Sequence, residues 1–129
     1  MSPIPRIAAA AGLAALALTL GRPLADAEPA VSHGGACFYL NQVDQIRSDG
    51  PRTIYARVSG RSVYRIDLLT DCPGLEGNSR PPVMSAEPTN QVCGPMNLDI
   101  HVEGEMCQPK AIVRLTDAEI AALPKSVRP

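Results

Sequence analysis

Tryptophan is absent, and Phe38, Tyr39, Tyr55 and Tyr64 are the whole aromatic set. Stacking platforms for sugars or nucleobases therefore have little to be built from. Twelve Lys and Arg stand against thirteen Asp and Glu without forming a basic block. Counterion displacement from nucleic acid or anionic lipid needs clustered positive charge, so neither is expected as a partner. Histidine occurs only at positions 33 and 101, and there is no C-x-x-C, H-E-x-x-H, nucleophile elbow or phosphate-binding glycine loop. Zinc knuckles, thioredoxin-type redox pairs and the common hydrolase signatures are thereby excluded.

The chain also lacks an apolar run long enough to span a bilayer. Ile7 to Leu20 is an Ala/Leu-rich stretch of 14 residues, short of the ~20 that a membrane helix needs. Arg6 precedes it, and Ala25-Asp26-Ala27 follows with small residues at both cleavage-determining positions. This is the pattern of a secretory signal peptide over residues 1–27. Cleavage would leave 129 − 27 = 102 residues, with 12 − 2 = 10 basic and 13 − 1 = 12 acidic side chains, a net charge of −2. A mature chain of that size is one small domain and has no integral membrane segment. Its expected location is the periplasm or the extracellular space.

Residues 28–36, "EPAVSHGGA", carry Pro, Ser and paired Gly without apolar periodicity and read as a flexible leader. From Cys37 the pattern changes to short stretches rich in Val, Ile, Leu and Tyr, bounded by Gly, Pro, Asn, Asp and Ser. They are "CFYLNQV", "RTIYARV", "SVYRIDLL", "PPVMSA", "MNLDIHV" and "CQPKAIVRL". The expected fold of residues 37–123 is mainly β: a small curled sheet or barrel-like meander of about six short strands with a short C-terminal helix, stapled by disulfides. The helix is signalled by "TDAEIAAL", in which Thr116 and Glu119 form a capping box ahead of Pro124. Residues 124–129 are expected to fray.

The second and third stretches permit a register test. Ile54, Ala56 and Val58 alternate with Thr53, Tyr55 and Arg57, as Tyr64, Ile66 and Leu68 do with Val63, Arg65 and Asp67. Placing both apolar sets on one face requires Val58 opposite Ser62 and a three-residue loop, Ser59-Gly60-Arg61. Ser-Gly alone suits a two-residue primed turn, which would pair Val58 with Arg61 and send half the apolar set to water. Burial of several side chains outweighs a turn preference of roughly 1 kcal/mol, so the three-residue loop is expected.

Cys37, Cys72, Cys93 and Cys107 make an even count in a small exported domain, which points to two disulfides. Of the three possible connectivities, Cys72 with Cys93 would clamp the Pro- and Gly-rich excursion between them, and Cys37 with Cys107 would join the first and last strands. A working thiol would need a base beside it. His33 lies in the leader, and His101 alternates onto the solvent side of its strand. Copper is the metal best matched to the remaining donors, Met84, Met96, Met106 and His101. Strict alternation, however, puts Met96 on the inward side and His101 on the outward side, so the methionines are expected to fill core gaps. Asp44, Asp49, Asp67, Asp71, Asp99, Glu103 and Glu105 are scattered over turns and outward positions. No catalytic, metal or cofactor residue is assigned.

The succession of "CFYLNQV", "VYRIDLLTDCPGL", "QVCGPMNLDIHV" and "MCQPKAIVRL" resembles the bacterial exported-protein family catalogued as domain of unknown function 6491, over about residues 37–115. Its most specific element is Cys72-Pro73-Gly74-Leu75. The resemblance implies export, small size and the four-cysteine plan, and it carries no activity. The functional expectation is a non-enzymatic accessory or binding module with an envelope or extracellular protein as partner. A periplasmic copper-binding protein and an unrecognised hydrolase or thiol enzyme are the alternatives. The intact mass of protein recovered outside the cytoplasm should correspond to a chain beginning at Glu28, and recovery of the form that retains Met1 would remove the export reading.

Overall fold

A computed structural model describes residues 37–77 and 80–129, so the expected signal peptide and the 28–36 leader lie outside the described residues. The fold is mainly β, with three antiparallel sheets and one short helix. The largest sheet has the order β2-β3-β4-β9, built from β2 (Val43–Asp49), β3 (Thr53–Val58), β4 (Ser62–Leu68) and β9 (Pro109–Arg114). A second sheet pairs β1 (Phe38–Tyr39) with β6 (Gln91–Val92). The third has the order β5-β7-β8, from β5 (Val83–Ser85), β7 (Asp99–Val102) and β8 (Glu105–Cys107). Among the described residues the strands divide among several open antiparallel sheets, and no barrel closes.

The β3–β4 hairpin satisfies both of its competing signals. Val58 stands opposite Ser62, Ala56 opposite Tyr64 and Ile54 opposite Ile66, and these apolar side chains are buried. Within the same loop, Ser59 and Gly60 both take positive φ, 52° and 71°, and the Arg61 amide donates to the Val58 carbonyl. This is the primed turn that Ser-Gly favours. Arg61 is the extra residue that restores the register demanded by burial.

Strand β2 is an addition to the expected set. Its apolar residues Val43 and Ile46 are three apart, a spacing that fits no regular strand. A bulge between Val43 and Gln45 reconciles them: Val43 faces Val58 and Ile46 faces Ala56, so both reach the core side. The bulged residue has its own task, because the Asp44 carboxylate accepts a hydrogen bond from the Gly60 amide in the β3–β4 turn. Strand β8 is likewise additional. Glu103 and Gly104, at φ 51° and 91°, form a two-residue turn that folds β8 back on β7.

The main core lies between the sheets and includes Phe38, Ile54, Ile66, Leu75, Val92, Leu98, Ile100 and Val102. Each such side chain contributes about 1.5–3 kcal/mol by leaving water. Phe38 and Tyr64 meet with ring centroids 4.4 Å apart. The only buried polar residue among those described, Ser48, lies on this side of β2, and its hydroxyl donates to the Leu75 carbonyl at 2.7 Å.

The opposite face of the large sheet, which carries Tyr55 and Val63, is covered as well. Both are buried in a second cluster with Leu115 and Val127, flanked by Ile120 and Leu123. Helix α1 (Asp117–Ala122) supplies part of this cover, and its capping box forms as expected: the Glu119 amide donates to Thr116 Oγ1 and the Thr116 amide to Glu119 Oε2. The tail does not fray. Val127 is only 8% exposed, and Arg128 Nη2 donates to the Ala121 and Leu123 carbonyls at 2.8 and 2.7 Å. These acceptors are left unpaired where a helix ends, so the tail both closes the helix and covers the sheet.

The disulfides join Cys37 with Cys93 and Cys72 with Cys107, which corrects the expected pairing. The cause is strand pairing. Phe38 faces Val92 in the β1–β6 ladder, which leaves Cys37 and Cys93 facing each other one position further on, Cα atoms 4.2 Å apart. Leu69 bonds to Gln108 beyond the end of the β4–β9 ladder, which carries the segment holding Cys72 toward Cys107. With partners 56 and 35 positions apart in sequence, each bridge contributes about 4 kcal/mol in the chain-entropy model.

Two outcomes check this architecture. Digestion of the oxidised protein with trypsin and a glutamate-specific protease should link peptide 66–76 to 106–110 and the Cys37 peptide ending at Arg47 to 77–103; a 66–76 to 77–103 linkage would restore the other pairing. Replacing Val127 with Asp should lower the unfolding free energy by roughly 1–3 kcal/mol in urea titration, and an unchanged midpoint would show that the tail covers nothing of consequence.

Candidate functional site

The Cys72-Pro73-Gly74-Leu75 turn is structural. Gly74 has φ 82° and Leu75 bonds back to the Cys72 carbonyl, the arrangement of a type II turn with Pro and Gly at its centre. Leu75 is buried, and Cys72 is consumed in its bridge. No cysteine of the four is free, so the oxidised protein offers no thiol for nucleophilic work.

The carboxylates also have local partners. Asp71 pairs with Arg52 at the surface, and Asp67 with Arg65 at 3.1 Å. Tyr55 sits in the row Arg47-Tyr55-Arg65 across three strands of the large sheet. Burial pushes its phenol above the ordinary tyrosine range, the Asp49 charge adds to this, and Arg65 works against it. The hydroxyl is thus kept neutral at physiological pH and is poorly suited to attack. Beside this row, Arg57 Nε is buried without a hydrogen-bond partner among the described residues.

The outward face of the three-stranded sheet differs from the rest of the surface. In β7, Ile100 and Val102 are buried, whereas Asp99 and His101 point the other way. His101 points outward as expected but is only partly exposed, with Val83 opposite it on β5 and Met106 opposite it on β8. Val83 is 67% exposed and Met106 60%, unusual values for large apolar side chains with an available core.

Met96 corrects the sequence reading most sharply. Expected on the inward side of a strand that includes Met96 and Leu98, it lies instead in a 3₁₀ turn, Pro95–Asn97, and is 97% exposed. Strand β7 begins only at Asp99. The turn is held by Asn97, whose Oδ1 accepts from the Cys93 and Gly94 amides, each at 3.3 Å, and whose Nδ2 donates to the Gln91 carbonyl. Of the described methionines, only Met84 packs against the core; Met96 and Met106 do not fill core gaps.

Met96 and Met106 converge on one open cavity of about 270 Å³, which Pro95, Asp99, Gln108 and Pro109 also line. Each thioether sits close in sequence to a bridged cysteine, Met96 three residues after Cys93 and Met106 immediately before Cys107. Of the nearby carboxylates, Asp99 points out on this face, whereas Glu105 takes the side of buried Val102 and Cys107 and Glu103 lies against Gly74; no Lys or Arg occurs in β5, β7 or β8. Among the described residues, no group of three or more His, Cys, Asp or Glu side chains converges as a metal site would require. The arrangement can therefore present apolar and thioether surface beside the carboxylate of Asp99. Comparison of the chain with protein-family models, with curated proteins and with solved structures finds no match.

Proposed function

We propose that this chain is an exported, non-enzymatic binding module of the bacterial envelope, periplasmic or secreted, that docks a protein partner on the outward face of the β5-β7-β8 sheet. The observation that carries the reading is the exposure of Val83, Met96 and Met106 on one side of the molecule. A small monomeric domain with a formed core gains nothing by leaving these side chains in water. Methionine suits such a surface because its unbranched, polarisable side chain adapts to a partner's contour.

The charge on this face selects the partner's chemistry. Asp99 lies there with no basic neighbour in the three strands, so the complementary surface presents an apolar anchor beside a Lys or Arg. Two bridges in so small a domain support the exported setting, since disulfides persist in oxidising compartments. The Ala/Leu run with Ala25-Asp26-Ala27 supports it independently. No helix among the described residues is long and apolar enough to cross a membrane.

A photo-crosslinking amino acid at Val83 should give a single defined adduct in envelope fractions. That adduct should fade with added salt and disappear when Asp99 is replaced by Lys. The same probe at Ala122, exposed on helix α1, should not form it. Identical adducts from both positions, or indifference to the charge reversal, would overturn the assignment of the surface.

A further inference from the structure

We infer that Met96 and Met106, whose thioethers line the cavity between the Pro95–Asn97 turn and the β7–β8 hairpin, form a copper(I) site together with the imidazole of His101, which stands beside that lining as the cross-strand partner of Met106. This inference stands independently of the protein-partner reading. It begins with the donor inventory. All four cysteines are bridged, so the soft donors left in the described chain are Met84, Met96 and Met106. Met84 packs against the core. The other two are displayed on one cavity, away from any apolar packing that would explain them.

His101 completes the set by register. It is the direct cross-strand partner of Met106, and side chains in that relation have Cβ atoms about 4.5–5.5 Å apart. An imidazole nitrogen and a flexible thioether at that separation can reach one ion. Met96 lines the same cavity as Met106 from the Pro95–Asn97 turn, and its near-complete exposure leaves its rotatable bonds free to turn. The alternation that would separate Met96 from His101 applies only within a strand, and Met96 is not in one.

The chemistry of the set chooses the metal. Thioether sulfur is a poor ligand for zinc, calcium or magnesium and a good one for copper(I), which also accepts imidazole and three-coordinate geometry. Asp99 lines the same cavity and adds negative charge beside a monovalent cation without being needed as a ligand. The framework also preorganises the donors. Asn97 and the Cys37–Cys93 bridge fix the turn that carries Met96, and the Cys72–Cys107 bridge fixes the strand that carries Met106. Only side-chain rotation is left to complete the site.

The test titrates oxidised full-length mature protein into a copper(I)–bicinchoninate complex without oxygen and follows loss of the chelator's colour. One equivalent of copper(I) should move to the protein. Met96→Leu, Met106→Leu and His101→Ala should each weaken retention by more than the roughly tenfold that loss of a merely supporting residue costs, whereas Met84→Leu should leave it unchanged. Leucine preserves apolar bulk, so a protein-docking role alone would survive the two methionine substitutions. Thermal unfolding of each variant without copper checks the fold, and X-ray absorption of the loaded protein should show mixed sulfur and nitrogen ligation. Absence of transfer, equal retention by wild type and the Met96→Leu/Met106→Leu double variant, or oxygen-only ligation would overturn the site.

Discussion

The Cys72–Cys107 bridge is the constraint on which the other parts of this molecule depend. It lies where the chain leaves the large sheet, and it ties the segment after β4 to the end of β8 in the three-stranded sheet. The surrounding hydrogen bonds point to the same place: Cys72 donates to Pro51, Leu69 to Gln108, and Ser48 to the Leu75 carbonyl. The Pro73-Gly74 turn then drives Leu75 into the core, where it is fully buried. Without the bridge, the excursion from residue 69 to residue 82 would have Leu75 as its main apolar anchor, too little to offset the entropy of ordering it.

What could be read from the residues follows from how local each signal is. The β3–β4 hairpin was legible because its apolar alternation is unbroken and its core partners lie on neighbouring strands. The capping box of Thr116 and Glu119 was legible because it needs only four residues. Strand β2 was not, because a bulge puts its two apolar residues out of phase, and β8 was hidden by a Glu-Gly turn in place of the usual Asn-Gly or Asp-Gly. The buried outer face of Tyr55 and Val63 depends on Val127, more than sixty residues away in sequence, and no local pattern announces such cover. The disulfide pairing failed for the same reason: it follows from β1 joining β6, a contact between two-residue strands.

The candidate site shows the opposite relation between pattern and position. Met96 and Leu98 have the spacing of an inward strand face, yet only Leu98 obeys it, since Asn97 closes the Pro95–Asn97 turn and releases Met96 to the surface. A side chain displayed in this way is not paid for by burial and has to be explained by what meets it. Two such methionines line one cavity with Asp99, and the register sets His101 opposite Met106; soft cations and complementary protein surface are the occupants that this set suits.

The order of the bridged cysteines along the chain has a topological consequence. The loops 37–93 and 72–107 interleave rather than nest, so the backbone between residues 73 and 92 lies inside both. A single cut anywhere in that interval separates Cys37 and Cys72 from Cys93 and Cys107, yet leaves the two fragments joined by two covalent links. A cut between 38 and 71 or between 94 and 106 leaves only one such link, so this interval, which is rich in proline and glycine, is where cleavage leaves the fragments most firmly joined. A protein built this way persists as a nicked but connected species until a reductant releases its halves.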